Sequence, residues 1–129
     1  MTRRRLPTTR RSVTHKVEIT DPGSGSYSLY MVLGFYENGK PGELFLKMGK
    51  VGSTVNGLLD VVGVLASLLL QHGADPAHVC QKLSNTAFGP AGMTTNPEIP
   101  VCTSLADYVF RWLESQAGKA KARKRRKRA

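Results

Sequence analysis

Ser53–Gly73, STVNGLLDVVGVLASLLLQHG, is the longest apolar run in a chain of 129 residues, and stop signals stand at both of its ends. Ser53 and Thr54 can accept from the free N–H groups of a first helical turn, and Gly73 can take the left-handed conformation that closes a helix. Between them Val55, Leu58, Leu59, Val62, Leu65, Ala66 and Leu69 recur at three- and four-residue spacing, the period of one helical face. Val61, Val64, Leu68 and Leu70 fill much of the other side, which predicts a helix buried almost all round. The unbroken apolar part is short for about 30 Å of hydrocarbon. Asn56, Asp60 and Gln71 interrupt the rest, so the expectation is a central helix of a soluble domain, not a membrane span. Asp60 in such a helix would need a partner, with Lys47, Arg111 or a neighbouring subunit as candidates.

Upstream of this helix the pattern changes to period two. Val13–Thr20 sets Val13, His15, Val17 and Ile19 against Thr14, Lys16, Glu18 and Thr20, a strand with one apolar face. Asp21–Ser26 is turn chemistry throughout. Tyr27–Tyr36 and Leu44–Met48 are further strand-like runs, joined by the hairpin signal Glu37–Gly42. Downstream, Asp75 is a ready N-cap with Pro76 at the first position of a short helix reaching about Leu83. Residues 84–102 form a connection rich in Gly, Pro, Thr and Asn, long enough to be an ordered functional or packing loop. Ser104 caps a last helix, with Asp107 in its first turn. Its apolar stripe is Leu105, Tyr108, Val109, Trp112 and Leu113, and Gly118 ends it. The fold class is therefore α+β: a small antiparallel sheet of about three strands on a buried central helix, with two flanking helices.

A chain of this length has room for one modest core, and 40% hydrophobic residues are ordinary for a globular domain. Cys80 and Cys102 lie far apart and outside any CxxC or Cys/His metal spacing. The opening residues are basic and polar, with no secretory apolar region and no amphipathic face of a transit peptide. These features favour a cytoplasmic protein with free thiols.

The net charge of +10 is unevenly placed. Arg3, Arg4, Arg5, Arg10 and Arg11 lie in a basic N-terminal arm, residues 1–12. Lys119, Lys121, Arg123, Lys124, Arg125, Arg126, Lys127 and Arg128 lie in a tail, residues 118–129, read as disordered. Residues 13–117 form the globule, which carries all nine acidic residues and a net charge of −3. Eight positive charges within ten residues attract phosphate through a sequence-independent, salt-sensitive interaction. If half to all of them meet phosphates, log K falls with log salt at a slope of about −4 to −7. The tail has no aromatic residue for base stacking, so non-specific binding is the expectation. The plain alternative is a solubilising tail.

A second candidate is Gly49–Thr54, where Lys47, Lys50, Gly52, Ser53 and Thr54 combine charge, glycine and a helix N-terminus in the manner of a phosphate cradle. It lacks the GxxxxGK[ST] spacing of a nucleotide-hydrolysing loop, and an ordinary strand-to-helix turn accounts for the same residues. His72, His78 and Cys80 flank one turn, but a helix points His78 and Cys80 about 200° apart, so no metal site is expected. No nucleophile–base–orienter set and no paired carboxylates can be assembled.

Several stretches resemble successive pieces of one known module: RRRLPTTRRSVTHKVEI, GFYENGKPGELFLKMGKVGSTVNGLLD, SLLLQHGADPAHVCQKLSNTAFGPAGMTTNPEI and SLADYVFRWL. The module is the TSCPD domain, as found at the C-terminal end of vitamin B12-dependent (class II) ribonucleotide reductases, and the likeness runs from about residue 3 to residue 114. In the motif that names the domain, Thr103-Ser104-Leu105-Ala106-Asp107 has Leu105 and Ala106 in place of the Cys and Pro. A thiol or metal role for that Cys is therefore unsupported here. The catalytic barrel of those reductases and their electron-passing cysteine pair have no counterpart in this sequence. The resemblance implies a part in deoxyribonucleotide synthesis without the chemistry itself: a stand-alone, non-catalytic accessory or regulatory partner of a reductase large chain, docking through apolar hairpin and helix faces. Adenosylcobalamin would belong to that partner. The alternative is a small non-specific nucleic-acid-binding protein, and the remaining reading is a part of an active ribonucleoside-diphosphate reductase complex. Homo-oligomers are compatible with each.

Overall fold

The computed structural model of the chain describes residues 2–128, with the side chains of Lys124, Lys127 and Arg128 outside the described set. The period-two alternation builds β1 (Ser12–Asp21), paired antiparallel along its whole length with β2 (Gly25–Phe35). β3 (Pro41–Met48) returns against β2 through the Glu37–Lys40 turn, in which Gly39 has φ 86°. Cross-strand rows on the inner face are Val17–Leu29–Met48, His15–Met31–Leu46 and Val13–Leu33–Leu44. All but Val13 and His15 are buried, as a one-sided antiparallel sheet requires. The outer face carries polar rows such as Lys16–Tyr30–Lys47, with the Lys16 ammonium 5.5 Å from the Tyr30 ring centre.

The sheet has five strands in the order β3-β2-β1-β4-β5, two more than the alternation reveals. β4 (Gly92–Thr94) and β5 (Val101–Cys102) come from the 84–102 connection, and β4 extends the sheet beyond Ile19 and Thr20. At two and three residues they are too short to show a period. Gly92 permits the approach: a Cβ there would lie 2.0 Å from the Thr20 carbonyl oxygen, and its φ is 154°. Asp21 fastens the loop, accepting from the Gly23 N–H at 2.7 Å within its own turn and from the Ala91 N–H at 3.0 Å across it. Those amide bonds hold its carboxyl below the ordinary carboxylate range.

Three helices complete the fold. α1 is Ser53–Gln71, α2 is Pro76–Leu83 and α3 is Leu105–Arg128. Asp75 caps α2 by accepting from the Ala77 N–H at 3.1 Å, with Pro76 at the first position as expected. α3 buries Leu105, Tyr108, Val109, Trp112 and Leu113 in the core, the stripe read from its spacing. It does not stop at Gly118. The tail expected to be disordered continues the helix to Arg128, because alanine, lysine and arginine are strong helix formers and cations suit the negative end of the helix dipole.

α1 corrects the sequence reading most. Its buried residues are Leu59, Gly63, Ala66, Leu70 and Gln71, a face turned by roughly 90° from the expected one at 100° per residue. Leu58, Val64 and Leu65 are 61%, 58% and 56% exposed, and Val55, Val61 and Leu69 are exposed with them. Asp60 is exposed too, so it needs no buried partner. The helix is long and apolar enough to cross a membrane by length and composition, and only 22% of that window is buried.

The reason lies in what α1 packs against. It lies along β3, the edge strand, whose outward backbone groups lack a neighbouring strand. Asn56 Oδ1 accepts from the Met48 N–H at 3.0 Å while its Nδ2 donates to the Met48 carbonyl at 3.0 Å. Ser67 Oγ accepts from the Leu44 N–H at 2.8 Å, and Gln71 Nε2 donates to the Gly42 carbonyl at 2.9 Å. Gly63 lets the helix close in, since a Cβ there would stand 2.8 Å from the Leu44 oxygen. Satisfying a buried backbone edge demands polar and small residues, so Asn56, Gly63, Ser67 and Gln71 turn inward beside Leu59 and Leu70, while Val55, Leu58, Val61, Val64, Leu65 and Leu69 are left facing out.

Candidate anion-binding arms and a buried polar centre

The N-terminal arm is partly docked. The Arg4 N–H donates to the Gln71 carbonyl at 2.8 Å, the Arg4 guanidinium stands 4.7 Å from the Tyr36 ring centre, and the Tyr36 hydroxyl donates to the Arg4 carbonyl. Arg3 donates to Gln71 Oε1. Arg10 makes a two-point ion pair with Glu43, one bond at 2.9 Å, and also donates to the Pro7 carbonyl. The arm expected to stay free in solvent therefore commits three of its five arginines to the body. The guanidinium groups of Arg5 and Arg11 are exposed and make no ion pair or hydrogen bond among the described residues.

Five of the tail cations have described side chains, all on the continuing helix. Lys119 lies 3.2 Å from Glu98, an exposed pair of the kind that contributes little. Lys121, Arg123, Arg125 and Arg126 are exposed. The structure brings the two arms together at one place. A cavity of about 220 Å³ gathers Arg11 from the first arm with Lys119 and Arg123 from the second, beside Asn38 and Gly39 of the hairpin turn and over Val13 and Phe35. Glu37 also lines it and tempers the positive charge. Sequence reasoning named the cations but could not foresee this convergence, because it depends on α3 running past Gly118.

Gly49–Thr54 is a bent junction. Lys50 sits in the left-handed region at φ 63°, and Gly52, not Ser53 or Thr54, is the N-cap of α1, with no side-chain cap bond. Lys47, Lys50, Gly52, Ser53 and Thr54 are all exposed, Lys47 on the outer face of β3. The two thiols are buried. Burial, with Glu114 adding to it, pushes the Cys80 thiol up to about 12, and burial also raises Cys102. His72 and His78 are exposed, and among the described residues no three His, Cys, Asp or Glu are grouped as a metal would need.

The Thr103–Asp107 segment forms a buried polar centre. The Asp107 N–H donates to Ser104 Oγ at 2.8 Å, closing the helix cap. The Asp107 carboxylate, 1% exposed, accepts from the Asn85 N–H at 2.7 Å, the Thr103 N–H at 3.0 Å and Arg111 at 3.2 Å. Burial alone would raise its pKa, but these donors outweigh burial and leave it below the ordinary value. Arg111, proposed from sequence for Asp60, serves Asp107 and the Val101 carbonyl instead. Beside it, Asn96 donates to Tyr108 Oη at 3.0 Å, and the same hydroxyl shares a 2.8 Å hydrogen bond with His15 Nε2. His15 stacks on Trp112 with ring centres 5.1 Å apart, and burial followed by Lys119 lowers its pKa.

The family model of the TSCPD domain matches residues 2–117, which takes in the sheet, α1, α2, the polar centre and the first half of α3. The chain belongs to the TSCPD domain family. Relatives named vitamin B12-dependent ribonucleotide reductase share 40% identity over 111 residues in Rhodopirellula baltica, 37% over 111 in Streptomyces avermitilis and 33% over 112 in Agrobacterium fabrum. Each alignment covers 86% of this chain but only 10%, 11% and 8% of the relative, so the TSCPD chain spans about a tenth of their length. No solved structure matches. In this TSCPD domain the motif serves packing: Leu105 is buried in the core where the sequence substitutes it for Cys, and Ser104 and Asp107 pin α3 to the 84–102 loop. Sequence reasoning missed Asn56, Ser67 and Gln71, although their spacing of eleven and four residues was a helical signal carried by polar side chains.

Proposed function

We propose that this TSCPD domain is a stand-alone, non-catalytic accessory or regulatory partner in deoxyribonucleotide synthesis, acting in trans on a reductase large chain and binding nucleic acid through its basic arms. The observation that carries the reading is the pairing of reductase kinship with two buried thiols, one pushed up to about 12, which gives the body no ready thiolate for thiol–disulfide exchange. On this reading adenosylcobalamin would belong to the partner. The test is co-purification with a B12-dependent large chain and a change in its turnover. Association at micromolar concentration with altered turnover supports the reading; no association, or deoxynucleotide production by the isolated chain, refutes it.

The convergence of Arg11, Lys119 and Arg123 supports the nucleic-acid half separately, as an electrostatic footprint on a helical tail. Binding to random duplex DNA should weaken with salt at a log–log slope of about −4 to −7. Arg123→Gln with Arg126→Gln should reduce that slope by about 2 without sequence preference. A slope near zero in the parent chain would remove this half and leave the reductase half standing. Binding to DNA with no effect on any reductase would favour the second reading, a small non-specific nucleic-acid-binding protein.

A further inference from the structure

The outward face of α1 has no partner among the described residues. Val55, Leu58, Val61, Val64, Leu65 and Leu69 together expose roughly 500–600 Å² of apolar surface, beyond the few hundred that a monomer ordinarily leaves contiguous. Leu58, Val61, Leu65 and Leu68 follow at spacings of three, four and three, the heptad rhythm of a seam between two helices. Gly57 shares this side and is a poor helix former, yet a Cβ on it would meet nothing within 4 Å. The chain's own packing gives no reason for glycine there, in contrast to Gly63, which admits β3. Close approach by a body outside the chain does.

We infer that α1 pairs with α1 of a second copy, forming a two-fold homodimer through this face. Two copies of the patch, fully covered, would bury about 1,000–1,200 Å² in total, the size of a weak, reversible interface. Although the chain is at +10, the one charged residue of α1 is Asp60, which stands one turn before Val64 and borders the face, so an identical surface meets it with little like-charge repulsion. A lipid surface fits less well, because α1 has no lysine or arginine to seat it on anionic headgroups.

The experiment is sedimentation equilibrium of the full chain at moderate salt, with Leu65→Glu, Met93→Glu and the parent side by side. Met93 is exposed on β4, away from the α1 face, and serves as the control. The expected result is a dimer with Kd on the order of 10 μM for the parent and Met93→Glu, and at least roughly tenfold weaker association for Leu65→Glu. Circular dichroism should show Leu65→Glu folded, since the residue is more than half exposed in the monomer. A parent that stays monomeric throughout, or a dimer indifferent to Leu65→Glu, overturns the inference. So does a monomeric parent that loses binding to anionic phospholipid vesicles, or to a reductase large chain, when Leu65 is replaced. That result would reassign the face to that occupant.

Discussion

α1 and α3 are both amphipathic by spacing, and they put their apolar stripes in opposite places. α3 lies over the inner face of a sheet, where Leu105, Tyr108, Val109, Trp112 and Leu113 find Val17, Met31 and their neighbours. α1 lies along a sheet edge, where unpaired backbone amides and carbonyls govern the contact, and Asn56, Ser67 and Gln71 answer them. Periodicity therefore locates a helix and its stripe, but the surface beneath decides which side is buried. The same contrast organises the proposed functions, since the helix with a satisfied stripe ends in cations and the one without offers an apolar face.

The contrast is broken or sharpened most strongly by paired truncations. Trp112→Ala should cost about 3–5 kcal/mol in urea unfolding. Leu65→Ala should change the stability of the monomer by less than about 1 kcal/mol. Comparable losses at the two positions would mean that α1 is buried after all. Asp107→Ala should follow, at about 3 kcal/mol, because it orphans the Asn85 and Thr103 amides and leaves Arg111 without its carboxylate. A loss under about 1 kcal/mol would show that the motif does not hold the loop.

Much of this plan was legible beforehand. The hairpin, the Asp75–Pro76 start of α2, the Ser104 cap and the stripe of α3 all rest on local chemistry that needs no tertiary knowledge. β4 and β5 were not legible, because strands of two and three residues carry no period and are defined by Thr20 and Met93 meeting across the sheet. Arg10 gave no sign that Glu43 would claim it, since the pair is 33 residues apart. Gly118 looked like a stop, yet nothing follows it that prefers another conformation.

Glycines give a finer comparison within α1 itself. Gly57→Ala should stabilise the monomer by roughly 0.5–1 kcal/mol through helix propensity. Gly63→Ala should destabilise by about 1–2 kcal/mol, because its Cβ meets backbone that cannot give way. Equal and favourable effects would place β3 farther from the helix than described. His15 supplies the smallest effect. Its lowered pKa means the folded state favours the neutral ring, so this contribution is complete above about pH 6.5 and fades as pH falls through 6.5 toward the folded value. His15→Phe should flatten stability over that window, as followed by the urea midpoint at successive pH values. An unchanged slope would separate His15 from the Tyr108–Asn96 network.

Amide hydrogen exchange at Leu44 and Met48 probes the edge contact most directly. With Ser67 and Asn56 as their acceptors, both amides should be protected in the parent chain, and Ser67→Ala should speed exchange at Leu44 at least roughly tenfold while leaving Met48 near its parent rate. Amides at both positions that exchange like those of an open edge strand, with no response to Ser67→Ala, would contradict the placement of α1 on β3 and its outward apolar face with it.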